Sequence, residues 1–177
     1  MIATTLQVWT ELLGLPAYDV VHCQAEADCH HYRLTVAPRH RVGVCPTCGK
    51  VTETVHQTRH RDRIRDLPIS GYTVDLQVRV LQFQCAGCGA CFTPVVPFLA
   101  EAAHATERFL EQAAQLVRRS DLANAAAFLS IPERTLGHWY YEYLQRRPQP
   151  GGQKLKPVRR MGIDELALKK NTGSTSQ

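Results

Sequence analysis

Two short cysteine motifs, CPTCG from Cys45 and CAGCG from Cys85, constrain this chain more than any other feature. A Cys-x-x-Cys pair followed by Gly makes a tight knuckle whose thiolates converge on one ion. Two such knuckles supply the tetrahedral sulfur site that zinc prefers. Cys45, Cys48, Cys85 and Cys88 are therefore the expected ligands. Cys91 forms a second, overlapping pair with Cys88 and competes for the fourth position. Cys88 is preferred because its pair repeats the first one, Gly included. With four thiolates and no open coordination position, the expected Zn2+ is structural, standing in for a core too small to hold its subdomain.

The knuckles lie further apart than in the usual zinc-finger template, and the segment between them explains how they meet. In YTVDLQVRV from Tyr72, residues Val74, Leu76, Val78 and Val80 share one face, with Asp75, Gln77 and Arg79 opposite. This is a half-buried strand, and a hairpin built on it brings distant knuckles together. Disulfides are the alternative use of the seven cysteines. The opening MIATTLQVWTELLG lacks a basic segment followed by an apolar core, so neither a signal peptide nor a membrane span is expected. The expectation is a cytoplasmic protein with reduced thiols and no membrane partner. A redox dithiol fits two Gly-following pairs less well than metal does. Cys23 and Cys29 have no partner at ligand spacing and read as buried thiols. His56 and His60 have the spacing to bind metal on a helix, though surface positions are the simpler reading.

Net charge is +5, unevenly spread. The first 32 residues contain no Lys or Arg, whereas Arg33, Arg39, Arg41, Lys50, Arg59, Arg61, Arg63 and Arg65 face only Glu53, Asp62 and Asp66 in the next stretch. Lys154, Lys156, Arg159 and Arg160 form a second cluster. Concentrated cation suits a polyanion, because each phosphate neutralised releases a condensed counterion. A solvated basic face is the alternative.

Composition divides the chain into a strand-and-turn region over 1–100, a helical region over 104–147, a Pro/Gly linker over 148–158 and a remainder over 159–177. HHYRLTVAP from His30 reads as a further strand and LPISGY from Leu67 as a turn. Within SDLANAAAFLSIPERTLGHWYYEYLQRR, Leu122, Ala125, Ala126 and Leu129 form one apolar stripe. SIPE then breaks and restarts the helix, with Ser130 and Glu133 as a capping box and Pro132 in the first turn. On the second helix Leu136, Trp139, Tyr140 and Tyr143 point inward, leaving Arg134, Thr135, His138 and Tyr141 outward. That is the form of a helix-turn-helix, whose second helix touches base edges in the major groove. Gly137 weakens the helix but permits close approach to DNA. Arg118 and Arg119 flank the motif, and Arg59, Arg61 and Arg63 supply further candidate DNA contacts. An ordinary helical hairpin is the alternative.

Taken together, LLGLPAYDV, CPTCG, the RDLPISGYTVDLQVRVLQFQCAGCGACFTP block, the two-helix segment and the final GIDELALKK resemble the ISL-three group of bacterial insertion-sequence transposases. The resemblance implies a zinc-binding domain and a helix-turn-helix that recognise double-stranded DNA at the terminal inverted repeats, in a bacterial, nucleoid-associated protein. It also implies an RNase-H-like catalytic domain with an Asp-Asp-Glu triad, in which Asp164 corresponds to the first carboxylate and Glu165 is only its neighbour. A two-metal site needs several converging carboxylates. The second Asp and the Glu are expected beyond residue 177, so the chain alone is expected to be inactive, with Mg2+ required only if that domain is completed elsewhere. The expected fold is α+β: a β-rich zinc-ribbon-like domain, a helix-turn-helix domain and the first strand of an RNase-H-like domain. The leading expectation is the recognition half of a transposase, associating with DNA and with a second copy or a full-length transposase. Two other readings stay open, a fragment completed by a separate catalytic chain and a zinc-ribbon adaptor for proteins.

Overall fold

The alternating segment at Tyr72 becomes the central strand of the molecule. In the computed structural model, which describes residues 2–100 and 103–146, the order is α1 (Ile2–Leu13), β1 (Tyr18–Glu26), β2 (His31–Pro38), β3 (Gly43–Val44), β4 (Val51–Thr52), β5 (Val55–Ile69), β6 (Tyr72–Gln84) and β7 (Cys91–Phe92), then α2 (Glu107–Arg119), α3 (Leu122–Leu129) and α4 (Glu133–Arg146). The fold is α+β, with a strand-rich N-terminal region and four helices. The linker, the second basic cluster and Asp164 lie outside the described residues. Among those described, no helix is long and apolar enough to cross a membrane.

The main sheet runs β1-β2-β6-β5, with β7 added beside β6. β2 and β6 are parallel and in a register that matches apolar with apolar: Tyr32 to Val74, Leu34 to Leu76 and Val36 to Val78. Leu34, Val36, Val74, Leu76 and Val78 are all fully buried. One face of the sheet is thus a continuous apolar layer, as period-two patterning requires.

What covers that layer corrects the reading of residues 1–100 as strands and turns. The opening segment is helix α1, and Leu6, Trp9 and Leu13 pack from it onto the sheet core. These positions fall at i, i+3 and i+7, the spacing of one helical face. Gly14, with φ 54°, ends the helix, and the Thr10 hydroxyl accepts the Val20 amide at 2.8 Å to tie it to β1. The segment from Leu67 is a tighter turn than expected. β5 continues to Ile69, and only Ser70 and Gly71, both with positive φ, make the reversal, as a two-residue hairpin loop demands.

α2, α3 and α4 enclose a second core around Phe109, Leu110, Ala126, Leu136 and Tyr143. The predicted stripe on α3 points inward, with Ala125 and Ala126 buried and Leu122 and Leu129 partly so. The predicted capping box does not form. Ser130 instead adopts the left-handed conformation that closes α3, its amide donating to the Ala126 and Ala127 carbonyls. Ile131 is buried between the helices, so the chain needs the sharp reversal at Ser130 before Pro132 starts α4. Gly137 is likewise not held open for a ligand. It is buried, and a Cβ there would sit 3.2 Å from Leu122 Cδ2, so its lack of a side chain lets α3 and α4 pack closely.

The sheet and the helices meet at Asp66, a β5 carboxylate that is 1% exposed. It accepts from Thr106 Oγ1 at 2.7 Å and from Arg108 Nε at 2.7 Å, and pairs with Arg108 Nη2 as well. The same guanidinium donates to the Leu13 carbonyl at the end of α1. Thr106 also caps α2 by accepting the Phe109 amide. Everything from α1 to α4 falls within one compact unit, Met1–Arg146.

Candidate metal centre and nucleic-acid interface

The knuckles sit beyond the apolar part of β6. After Gln84 the chain turns through Cys85–Gly89, where the Cys85 amide donates to the Ala90 carbonyl and the Gly89 amide to the Cys85 carbonyl. The Cys45–Gly49 turn repeats this, with Cys45 N to Lys50 O and Gly49 N to Cys45 O, both at 2.9 Å. Gly49 and Gly89 have φ of 72° and 75°, a conformation that excludes most side chains and explains why Gly follows each pair.

The Sγ atoms of Cys45, Cys48, Cys85 and Cys88 all lie within 4.8 Å of one another, with Cys45 to Cys88 at 3.6 Å and Cys48 to Cys85 at 3.5 Å. Four sulfurs held about 2.3 Å from one ion in a tetrahedron stand about 3.8 Å apart, so the cluster fits a structural Zn2+. Cys91 is exposed on β7 and is not in the cluster.

The thiols are also poised unequally. Desolvation opposes ionisation of Cys45, but the Cys48 and Thr47 amides together with hydrogen bonds from the Cys88 and Cys48 thiols outweigh it and bring the thiol down to about 6. Amides of Cys88 and Gly87 lower Cys85. The Ala90 amide favours the Cys88 thiolate, yet Cys45, desolvation and the other two thiols push it up to about 12. A divalent cation bound among them would favour the thiolate form of all four.

The remaining cysteines and histidines stay outside this centre. Cys23 is partly buried on β1, its thiol pushed up by burial. Cys29 is exposed rather than buried, in a single 3-10 turn beside Glu26. His56 and His60 lie on strand β5, not a helix, where four residues span about 13 Å, too far to share an ion.

β5 is an edge strand, bridged on its outer side at Arg65 by Ala105. Arg59, Arg61 and Arg63 are exposed along it, while Arg33, Arg39 and Arg65 are paired with Glu26, Asp19 and Asp75. Arg59 and Arg61 stand opposite Val80 and Val78 of β6, and a bulge between Arg61 and Ile64, with Arg63 at φ 55°, then interrupts the alternation. His60, Arg61, Asp62, Arg63 and His104 line an open groove of about 600 Å³ on this edge. On α4, Arg134, His138 and Tyr141 are exposed and Thr135 is half-buried, whereas Leu136 and Tyr143 face the core. Arg118 and Arg119 are exposed at the C-terminus of α2.

The zinc-finger family of transposases IS204/IS1001/IS1096/IS1165 matches residues 41–88, a segment that contains all four clustered cysteines. The chain carries the ISL3-type transposase zinc ribbon. A transposase for insertion sequence element IS1001 from Bordetella parapertussis is 31% identical over 103 residues, covering 58% of this chain and 25% of that relative. The chain thus aligns with a quarter of the curated relative it matches. No solved structure matches it.

Zinc does not substitute for the core of the whole β-rich region, because the main sheet buries its own. Around the knuckles, apolar support comes from Phe83, 2% exposed and stacked on Phe92 at 5.9 Å, with Gly43 against both rings. Lys50 is a contributor that sequence reasoning missed. Its side chain crosses Gly87, where a Cβ would come within 2.5 Å of the Lys50 stem. It thereby brings a cation beside a centre that four thiolates around Zn2+ would leave doubly negative. Its position directly after CPTCG was the available signal. Asp66 and Arg108 had none, being isolated charges in separate segments.

Proposed function

We propose that this chain is the DNA-binding part of a transposase, directed at the terminal inverted repeats of its element. α3, the reversal at Ser130 and α4 act as a helix-turn-helix. Arg134, Thr135, His138 and Tyr141 meet base edges, while Arg59, Arg61, Arg63, Arg118 and Arg119 meet phosphates. Cys45, Cys48, Cys85 and Cys88 hold a structural Zn2+. The observation that carries this reading is the two-sided character of α4 together with a basic edge strand, in a chain with an ISL3-type ribbon. An exposed cationic and aromatic helix face suits the major groove.

A mobility-shift titration tests it, comparing duplexes of the encoding element's terminal repeats with scrambled duplexes over a range of salt. The repeats should bind more tightly, with affinity falling steeply as salt rises. Arg134→Ala should relax sequence preference by about 1–3 kcal/mol, whereas Arg63→Ala should weaken all DNA alike. Equal affinity for repeat and scrambled duplexes would sink the proposal. A protein-adaptor reading draws support from Val44, Val51 and Val95, which are 64%, 68% and 87% exposed. Complex formation with a protein that resists salt would favour it.

A further inference from the structure

We propose that Asp66 is a positioning residue that fixes the distance between two DNA contacts, so that the unit selects targets by the spacing of their parts. The inference rests on the DNA-binding reading above and adds a constraint to it. The edge-strand arginines and Asp66 belong to one strand, with Arg63 only three residues from Asp66. At that point β5 is joined to the helices through both backbone and side chains. The Arg65 amide donates to the His104 carbonyl, and the Thr106 amide returns to the Arg65 carbonyl, both at 2.9 Å. Beside these, both Asp66 oxygens engage Arg108, the first of them also taking the hydroxyl that caps α2. α2 in turn shares a core with α4, including the edge-to-face contact of Phe109 and Trp139 at 6.5 Å.

The chemistry chosen for this joint is informative. An apolar pair of similar volume stabilises a buried junction as well as an ion pair does, so stability alone does not call for a carboxylate there. A carboxylate engaged on both oxygens by a planar guanidinium adds direction, since the fork tolerates little rotation. α4 and the edge of β5 therefore present to DNA at a set separation and angle. Two contacts on a rigid connector reinforce each other only when the DNA offers both at the matching distance, and gain little otherwise.

The test uses the zinc-loaded full chain and duplexes it selects from a random-sequence pool. Hydroxyl-radical footprinting should show two protected blocks, one sensitive to Arg134→Ala and one to Arg63→Ala. Inserting half a helical turn between them, about 5 base pairs, should weaken binding by about tenfold or more. Arg108→Lys keeps the charge but removes the fork, and it should shrink that penalty several-fold with zinc content and helical circular dichroism unchanged. Asp66→Asn should do the same where it remains folded. A single protected block, insertion effects within about twofold, or full spacing discrimination in folded Arg108→Lys would each overturn the inference. If the chain enriches no duplex from the pool, it is the DNA-binding reading itself that fails.

Discussion

The two ends of the long β5–β6 hairpin are stabilised by different chemistry. Toward Tyr72, β6 lies beside the apolar residues Tyr32, Leu34 and Val36 of β2, and α1 and the joint at Asp66 complete the enclosure. Past Val80 little remains to bury, and Phe83 with two cysteine knuckles takes over. The difference teaches where a metal becomes necessary. Zinc enters at the point where the hairpin outruns its covering layers, and the chain there is built from turns and two-residue strands, β3, β4 and β7.

Removing a zinc ligand should separate the two ends most sharply. Structural zinc sites contribute on the order of 10 kcal/mol to small domains, so Cys45→Ser or Cys85→Ser should release the metal and unravel the ribbon. Metal analysis and amide exchange should show ribbon amides unprotected while those of β2 and β6 stay protected. Loss of protection everywhere would mean that the ends are not independent. At the other end, Asp66→Ala leaves Arg108 partly buried without its partner and should cost about 3–5 kcal/mol. Urea denaturation measures that loss, and zinc content should be unaffected in the folded protein. A smaller effect is expected from Gly43→Ala, whose Cβ would stand 2.9 Å from Phe83 and 3.1 Å from Phe92. Overpacking of this kind costs about 1–3 kcal/mol, and here it should appear as faster zinc loss to a chelator. The smallest belongs to Gly137→Ala. The gain in helix propensity is about 1 kcal/mol, offset by a 3.2 Å approach to Leu122, so thermal melting should show a net change within about 1 kcal/mol.

The ribbon was the more legible end. Its Cys-x-x-Cys-Gly motifs state their geometry locally, and the alternation of Val74 to Val80 identifies the strand that connects them. The apolar stripe on α3 and the outward face of α4 were equally readable from helical spacing. The joint at Asp66 was not. It unites residues from Leu13 to Arg108 that no periodicity links, and Asp66, like Asp62 before it in a basic stretch, looks like a surface charge. α1 was overlooked because its opening segment was judged only as a signal sequence, although Leu6, Trp9 and Leu13 carry a helical period. Ser130 was assigned to the wrong helix, since Ser before Pro-Glu favours an N-cap locally. The burial of Ile131 decides otherwise.

The arginines of β5 have a consequence apart from any ligand. A long edge strand is a template on which another chain can add a strand, and repeated addition makes insoluble fibres. Arg59, Arg61 and Arg63 place like charges along that edge, and the bulge after Arg61 spoils its flatness. Two copies approaching edge to edge would bring these cations together before their backbones could pair. The strand that carries the groove is thereby also a poor template for edge-to-edge pairing.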